Sequence, residues 1–513
     1  MKKVLLLNSP VFTTGNGKIF DINPLPPIGM AYLSTALKKA GFQVKIVDVL
    51  LEGWLNRRKV GHRLYYVGLE YPDIKEIIKE YSPDVVGISA MFSRQATIYN
   101  DLAKLVKEVS SKIITIAGGA HTSVDPYSIL KDENIDFILI GEADETLPKL
   151  LKAIESGEDY TGIDGIGYRK NGESSVRPKT TYITNLDELG FPDWKEAQLE
   201  RYFGLEQSHG IRKKTRFAPL VTSRGCPYNC VFCSAKKVWG RQYRPRSPEN
   251  VIRELLWLKN TYGIEEIMME DDNLTLEPKR AEKIFDLMIQ ENLNMVWDTP
   301  NGVAAWTLNE KLVKKMIKSG CYSINLAIES GSQHHLTYNI RKPVNLEKVK
   351  EIVRIIRQYN IRVMVYIVFG VPGETRQTML DTYKYIAQIG LGPENMFISI
   401  ATPYFGTDLY DICKKNNYLK QEVTPSAFHI RSYWIETENL SSLDIKIAMR
   451  IGTAYLIYQK AKHQEHQSIP GQMMVAILHG IETSIVTIFH FYKRNQRKKE
   501  AITKQAVPPL MES

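Results

Sequence analysis

Short apolar strands alternate with helix-forming segments along most of this chain. Val4–Leu7, Val85–Ser89 and Ile113–Ala117 are apolar runs typical of buried strands, and Gly29–Ala40 and Tyr99–Val109 have the apolar spacing of helices. Such an alternation predicts a doubly wound α/β fold, a parallel sheet with helices on both faces. With 43% hydrophobic and 24% charged residues, the composition is that of a globular protein and excludes disordered or collagen-like chains.

Polar and glycine-rich segments follow the predicted strands of this first unit. They are Asn8–Pro10, Ser89–Ala90, Gly118–His121 and Gly141–Glu142. Ligands of parallel α/β sheets bind at the carboxyl edge, and glycine there lets the backbone approach a flat or phosphate-bearing ligand. A tight turn from strand to helix explains each glycine alone equally well. The four segments together predict a ligand site at this edge.

A second series of strands and helices begins near residue 206. The predicted strands are Ala218–Thr222, Ile264–Glu270, Asn294–Thr299, Tyr322–Ile328, Arg362–Phe369 and Asn395–Ala401. The predicted helices between them are Pro248–Asn260, Pro278–Gln290, Asn309–Lys318, Leu346–Tyr359 and Thr375–Ile389. Ser247 followed by Pro248 is a typical helix start. Six strands with intervening helices predict a partial (β/α)6 TIM barrel, whose chemistry would lie at the carboxyl ends of the strands.

The chain therefore divides into four predicted parts. They are the first α/β domain at 1–157, a linker with a small hairpin at 158–205, the barrel at 206–430 and a helical region at 431–513. Within the last part, Met474, Ile477, Leu478, Ile481, Ile485, Ile488 and Phe489 form one apolar stripe, before a basic run at 493–499. This helix either packs on the protein's own core or lies on an anionic membrane surface. The chain lacks the uncharged apolar stretch of about 18 residues that a transmembrane helix requires.

Three of the five cysteines lie within eight residues, as C-x3-C-x2-C directly after the first barrel strand. So few cysteines cannot form a disulfide framework, which predicts a reducing, cytoplasmic location. The thiolates of Cys226, Cys230 and Cys233 can hold three irons of a [4Fe–4S] cluster and leave the fourth iron open. Structural zinc needs four ligands, and no further cysteine or histidine follows at a suitable spacing. Cys321 and Cys413 are expected to be packed as small hydrophobic residues.

This loop, its place after the first strand and the six-unit barrel resemble the radical S-adenosylmethionine (SAM) superfamily. The resemblance implies that SAM chelates the open iron. It also implies that one-electron reduction cleaves SAM to a 5′-deoxyadenosyl radical. It implies an adenine contact from Phe232 and a ribose contact from Glu329. It also implies contacts to the SAM amino group from Glu270, Asp271 and Asp272, and to adenosine from Gly370 and Gly373. The segment Glu270–Asp272 lacks the glycines usual in the family.

The first unit resembles the Rossmann-like B12-binding domain that precedes many such barrels. The resemblance implies cobalamin contacts from Ser9, Pro27, Gly29, Ser89, Gly118, Gly119, Gly141 and Glu142. The D-x-H-x-x-G box that supplies a cobalt ligand in other B12 proteins is absent. His121 is therefore not expected to bind cobalt, and the lower ligand is missing or supplied otherwise.

The combined resemblance is to cobalamin-dependent radical SAM methylases and anaerobic magnesium-protoporphyrin ester cyclases. It predicts C-methylation of an unactivated carbon in a lipid, isoprenoid or natural product, with radical ring closure or oxidation as the alternative. The related tRNA methylthiotransferases need cysteines in their first domain, and none precedes Cys226. A cobalamin-binding sensor would not need the cysteine loop. The expected partners are a small-molecule or lipid substrate and an electron donor such as flavodoxin or ferredoxin, with no nucleic acid. Membrane contact through the last helix is a further expectation, and no catalytic side chain is assigned beyond the cluster.

Overall fold

A computed structural model describes residues 2–14, 24–61, 64–205, 209–210, 212–420, 423 and 433–463. The first unit begins with β1 (Lys3–Asn8), β2 (Val11–Thr14), α1 (Ile28–Lys39), β3 (Gln43–Asp48), α2 (Val49–Glu52), β4 (Arg57–Gly61), β5 (Leu64–Val67) and α3 (Tyr71–Tyr81). It continues with β6 (Val85–Ser89), α4 (Ala96–Val109), β7 (Ile114–Gly118), α5 (Ala120–Val124), α6 (Pro126–Leu130), β8 (Phe137–Leu139), α7 (Thr146–Ser156), β9 (Ile166–Lys170) and β10 (Glu173–Arg177).

The main sheet of this unit has the strand order β10-β9-β8-β7-β6-β1-β3. Strands β3, β1, β6, β7 and β8 are parallel, which confirms the predicted doubly wound fold. Val4 to Leu7 of β1 are at most 3% exposed, because helices cover both faces of the sheet. The chain winds to opposite sides from β1, so that a crevice lies between β1 and β6 at the carboxyl edge.

Two parts of the first unit differ from the expectation. The hairpin expected within the linker is β9–β10, and β9 pairs antiparallel with β8, so the hairpin extends the main sheet. A separate sheet of order β2-β5-β4 was not predicted. Its strands are short, and Arg57–Lys59 in β4 has the composition of a solvated loop.

The second unit comprises β11 (Phe217–Leu220), β12 (Ser223–Arg224), α8 (Ala235–Val238), β13 (Arg244–Pro245), α9 (Pro248–Tyr262), β14 (Glu266–Met269), α10 (Pro278–Gln290), β15 (Val296–Asp298), α11 (Glu310–Lys318) and β16 (Ser323–Glu329). After these come α12 (Gln333–His335), a π-helix (Leu336–Ile340), α13 (Leu346–Arg357), β17 (Arg362–Phe369), α14 (Arg376–Gln388), β18 (Met396–Ile400), α15 (Asp408–Lys415) and α16 (Ser442–His463).

The six main strands of this unit form two parallel sheets, β11-β14-β15 and β16-β17-β18. Isolated bridges from Trp297 to Cys321 and from Val303 to Leu326 connect the two sheets into one curved wall. In the part of the chain that the structure describes, β11 and β18 do not pair, so the barrel is open as predicted. Helix α10 packs outside it, where Phe285 stacks on Trp297 at 5.0 Å between ring centroids.

Helix α16 packs on α14, with Gly452 directly against the ring of Tyr383. The predicted amphipathic helix around Met474–Phe489 and the basic run that follows it lie outside the described residues. Of the helices that are described, none combines the length and apolar character needed to cross a membrane.

Candidate active site

The cysteine loop runs from β11 to α9 and is anchored at its centre. The N–H of Val231 donates to the carbonyl oxygen of Ile340 at 3.0 Å, and the Val231 carbonyl accepts from the N–H of Leu409 at 2.8 Å. Gly225 has a φ of +86°, and a side chain there would meet the carbonyl oxygen of Gln242 at 2.2 Å. The loop conformation therefore requires glycine immediately before Cys226.

All three thiols of this loop are free and half-buried. Burial raises the pKa of each of them, that of Cys230 to about 12, and the nearby charge of Lys342 acts in the opposite direction. Within the described ranges, no three His, Cys, Asp or Glu side chains converge on a single metal ion. The donor set itself, three half-buried thiols on one short loop, fits a [4Fe–4S] cluster, in which each thiolate would bind its own iron and one iron would lack a protein ligand.

Glu329 at the end of β16 forms a buried ion pair with Lys342. The Lys342 Nζ donates to Glu329 Oε1 at 2.6 Å, and the two side chains are 11% and 7% exposed. Burial alone would lower the pKa of Lys342, but the charges of Glu329 and Cys230 outweigh it and raise that pKa. The sequence interpretation missed Lys342, which lies 13 positions after Glu329, beyond the π-helix that turns the chain back.

The acidic segment after β14 divides into three different environments. Asp271 is buried and accepts hydrogen bonds from Thr222 Oγ1 at 2.7 Å and Ser223 Oγ at 2.5 Å. It therefore fixes the start of the cysteine loop through these bonds, and the contact of its carboxylate with SAM that the sequence resemblance implies stays a prediction. The Asp272 side chain is exposed at the mouth of the barrel. The surrounding protein still desolvates its carboxyl, and this desolvation and the charge of Asp271 raise the pKa of Asp272 to about 6.

Glu270, the first residue of this segment, faces the barrel lumen. Its carboxylate lies 2.9 Å from Nδ1 of His209 and accepts from Nδ2 of Asn301 at 3.1 Å. Desolvation would lower the pKa of His209, but the contact with Glu270 outweighs it and raises the pKa. Asp272 is consequently the acid of this segment most open to a ligand.

The glycines after β17 serve the loop itself. The N–H of Gly370 donates to Glu374 Oε2 at 2.5 Å, and a side chain at Gly373 would lie 2.0 Å from Asn339 Nδ2. Both glycines have positive φ angles, +92° and +90°. Backbone geometry and packing thus explain the presence of both glycines. Phe232, in the cysteine loop, is half-buried and packs against the barrel core.

Glu374 is fully buried, and burial raises its pKa to about 8. Its Oε1 lies 4.0 Å from Nε2 of His335, whose pKa burial lowers to about 4. Both groups are therefore neutral near pH 7. The folded protein keeps the Glu374 proton up to about pH 8, whereas the unfolded chain releases it near 4.5.

This difference predicts that Glu374 lowers the free energy of unfolding as pH rises from about 5 to about 8. Glu374→Gln mimics the protonated carboxyl and has no proton to release. We expect the variant to gain stability relative to the unmodified protein across this range, measured as the difference in melting temperature between pH 5 and pH 8. Glu347→Gln, at an exposed position, is the control. A parallel pH dependence in all three proteins would contradict the assignment.

The expected cobalamin residues of the first unit lie along one edge. Ser9, Ser89, Gly118 and Gly141 end or follow the adjacent parallel strands β1, β6, β7 and β8. Gly29 lies in the first turn of α1, and no atom would come within 4 Å of a Cβ placed there. This open space beside the crevice fits a large flat ligand. Gly119, by contrast, has a φ of +127° and packs against the Ala90 carbonyl.

Two polar residues of this edge are turned away from the crevice. Glu142 is buried and accepts hydrogen bonds from Arg224 and Arg244 of the second unit. Its carboxylate is thus engaged by two arginines of the second unit, and its contact with cobalamin stays a prediction. His121 is 1% exposed, and its Nδ1 lies 3.0 Å from Ser93 Oγ. Its other ring nitrogen, Nε2, is buried and has no hydrogen-bond partner among the described residues.

Comparisons with known proteins agree with this geometry. The model of the radical SAM superfamily matches residues 220–386, and that of the B12 binding domain matches residues 23–151. Cytidylyl-2-hydroxyethylphosphonate methyltransferase of Streptomyces wedmorensis is 32% identical over 82% of this chain and 83% of its own length. Anaerobic magnesium-protoporphyrin IX monomethyl ester cyclase of Synechocystis is 24% identical over 82% and 79%. The methyltransferase TsrM of Kitasatospora setae, solved with cobalamin and a [4Fe–4S] cluster, has a TM-score of 0.63 at 17% identity and covers 82% of this chain and 80% of its own.

The chain thus belongs to the radical SAM family whose barrel follows a B12-binding domain. It is a cobalamin-dependent radical SAM methyltransferase, and its cofactors are a [4Fe–4S] cluster, SAM and cobalamin. These conclusions confirm the fold, the enzyme class and the cofactors expected from the sequence. The individual site residues remain predictions.

Proposed function

We propose that this enzyme methylates an unactivated carbon of a polar small molecule, in a cavity between the cysteine loop and the carboxyl edge of the first sheet. One observation carries the proposal. Arg224, two residues before Cys226, donates to Glu142 and Asp144, which follow β8 of the first sheet. The proposed cluster ligands Cys226, Cys230 and Cys233 therefore adjoin the proposed cobalamin edge.

Bound there, the cluster supplies the electron that cleaves SAM, and cobalamin carries the methyl group. The protein's part is to bind, orient and exclude water. Asp272 is placed to accept hydrogen bonds from the SAM amino group, and Glu329 from the ribose hydroxyls. Lys342 pairs with Glu329 and places a positive charge beside the thiolates, which would offset the negative charge of the cluster.

The lumen of the barrel supports a polar substrate. Glu270, His209 and Asn301 form a hydrogen-bonded group at its mouth, with Asp298 behind them. Burial and the charges of Glu266 and Glu270 raise the pKa of Asp298 to about 8, so that it can donate a hydrogen bond. An isoprenoid chain would displace water from these polar groups without replacing its hydrogen bonds, at a cost in binding. The polar substrate named for the Streptomyces relative agrees with this preference.

The experiment is anaerobic turnover with SAM that carries a deuterated methyl group. Candidate acceptors are nucleotide-linked alcohols and phosphonates, with an isoprenoid lipid as the comparison. We expect mass spectrometry to find the labelled methyl on a carbon of a polar acceptor. Labelling of the lipid alone would contradict the polar assignment. An oxidised or cyclised product without label would instead favour the cyclase activity of some relatives.

Gly29 offers a direct test of the cobalamin edge. Because a side chain there meets no protein atom, Gly29→Leu should leave the melting temperature unchanged but weaken cobalamin binding, measured by the visible absorbance retained after desalting. Gly162→Leu, in the turn before β9, is equally unhindered and is the control. Equal retention of cobalamin by both variants would place the corrinoid elsewhere.

We also propose a flavodoxin or ferredoxin as the electron donor. The proposed domain limits are 1–157, 158–205, 206–430 and 431–513.

The peripheral membrane contact predicted for the last helix rests on sequence alone. Deleting the residues after Ser468 should reduce binding to anionic liposomes if that contact exists. Unchanged binding would refute it.

A further inference from the structure

A buried group of four charged side chains crosses from the first α/β unit to the second. We call it the interdomain clamp, and it consists of Glu142, Asp144, Arg224 and Arg244. Arg224 Nη1 donates to Asp144 Oδ2 at 2.8 Å and to Glu142 Oε2 at 3.0 Å, and its Nη2 donates to Asp144 Oδ1 at 3.1 Å. Arg244 Nη1 donates to both oxygens of Glu142, at 2.7 and 3.0 Å.

The clamp is closed to water, and its contacts fix the orientation of the Arg224 guanidinium. Its four side chains are between 0% and 6% exposed. The Arg224 guanidinium lies between the rings of Tyr32 in α1 and Trp239 in the cysteine loop, 5.3 and 5.2 Å from their centroids. Planar guanidinium forks that bond both oxygens of a carboxylate restrict orientation as well as distance.

Stability alone does not account for this arrangement, because a packed apolar group of similar volume often stabilises a protein as well or better. The clamp also connects the proposed cobalamin edge to the cysteine loop, because of where its residues lie in the chain. Its acids follow β8 at the proposed cobalamin edge, and Arg224 is separated from Cys226 by Gly225 alone. A side chain at Gly141 would lie 3.1 Å from the carbonyl oxygen of Val238 in α8, so the two units are in direct contact here.

We propose that the clamp is a positioning device, which sets the distance between the cysteine loop and the cobalamin edge. The inference rests on the proposed function. SAM cleaved at the cluster leaves 5′-deoxyadenosine, whereas SAM that donates its methyl group leaves S-adenosylhomocysteine. Cleavage depends on the cysteine loop alone. Methyl donation also depends on the position of the cobalamin edge, so loosening the clamp lowers methyl donation selectively.

The test uses Arg224→Lys, which keeps the charge and loses the fork, and Asp144→Asn, which keeps the shape and loses the charge. Cobalamin-loaded, anaerobically reconstituted proteins receive SAM and titanium(III) citrate, and both products are quantified. We expect the ratio of S-adenosylhomocysteine to 5′-deoxyadenosine to fall about tenfold or more, since a misplacement of roughly 1 Å can cost about a hundredfold. A readout independent of turnover is the magnetic interaction between the cobalt(II) and reduced cluster spins, which should become weaker or more heterogeneous.

The matched control is Asp444→Asn. Asp444 pairs with Arg376 at 2.5 Å and is largely buried, and the helices that hold the two residues, α16 and α14, both belong to the second unit. This variant should lose stability without changing the product ratio. Unchanged ratios and spin interactions in folded clamp variants would overturn the inference, and Asp144→Asn decides alone if Arg224→Lys does not fold. Absence of both products from the unmodified protein would instead contradict the proposed function.

Discussion

Replacing Cys230 by alanine abolishes SAM-dependent formation of 5′-deoxyadenosine. Two thiolates cannot hold three irons, so the variant should bind less iron and produce no more nucleoside than buffer alone. The measurement is iron content and product yield after anaerobic reconstitution, with SAM and dithionite supplied. Cys226→Ala and Cys233→Ala should give the same result, because each thiolate is expected to bind a different iron.

Cys413→Ala is the matched control for this prediction. Cys413 is fully buried in α15, one turn beyond the Leu409 that bonds to the cysteine loop; its thiol is not one of the proposed ligands, and its removal deletes only a small packed side chain. This variant should retain both iron and product formation. Loss of the cluster in Cys413→Ala, or its retention in Cys230→Ala, would contradict the assignment of the three ligands.

Replacing Lys342 by methionine should have the second large effect, and it should act on stability and on the cluster. Removing one partner of a buried pair leaves the other charge uncompensated, which costs about 3–5 kcal/mol in the free energy of unfolding. Loss of the positive charge beside the thiolates should also lower the reduction potential of the cluster. Denaturant unfolding and potentiometric titration measure the two effects separately.

The double variant Lys342→Met/Glu329→Gln separates the two contributions. It removes the uncompensated carboxylate and should recover most of the lost stability, and the reduction potential should rise part of the way back, because the charge of Glu329 also acts on Cys230. A Lys342→Met protein that unfolds like the unmodified protein would show that the ion pair with Glu329 does not stabilise the fold. An unchanged potential would show that the lysine charge does not act on the cluster.

The strands and helices could be predicted from the sequence because their signals are local. The boundaries of β17 match the prediction, since its apolar run lies between Arg362 and Gly370, and α10 begins at Pro278 as expected. The three cysteines were found because their spacing is itself the signal. The hairpin β9–β10 was assigned to a linker because its pairing with β8 is a tertiary contact.

The roles of individual polar residues depended on contacts between distant segments. Asp271 and Asp272 are neighbours in an acidic run, yet Asp271 is consumed by Thr222 and Ser223 whereas Asp272 is open. Glu142 follows β8 at the edge where ligands typically bind, but its carboxylate accepts a hydrogen bond from Arg224, 82 positions later in the chain. No periodicity or spacing within one segment reports such pairings.

The assigned function requires that one protein both cleaves SAM and transfers its methyl group. The most direct measurement supplies SAM and titanium(III) citrate to the anaerobically reconstituted protein, with and without bound cobalamin, and quantifies both products. We predict 5′-deoxyadenosine in both samples and S-adenosylhomocysteine only with cobalamin. Absence of 5′-deoxyadenosine, or cobalamin-loaded protein that forms no S-adenosylhomocysteine, would contradict the account.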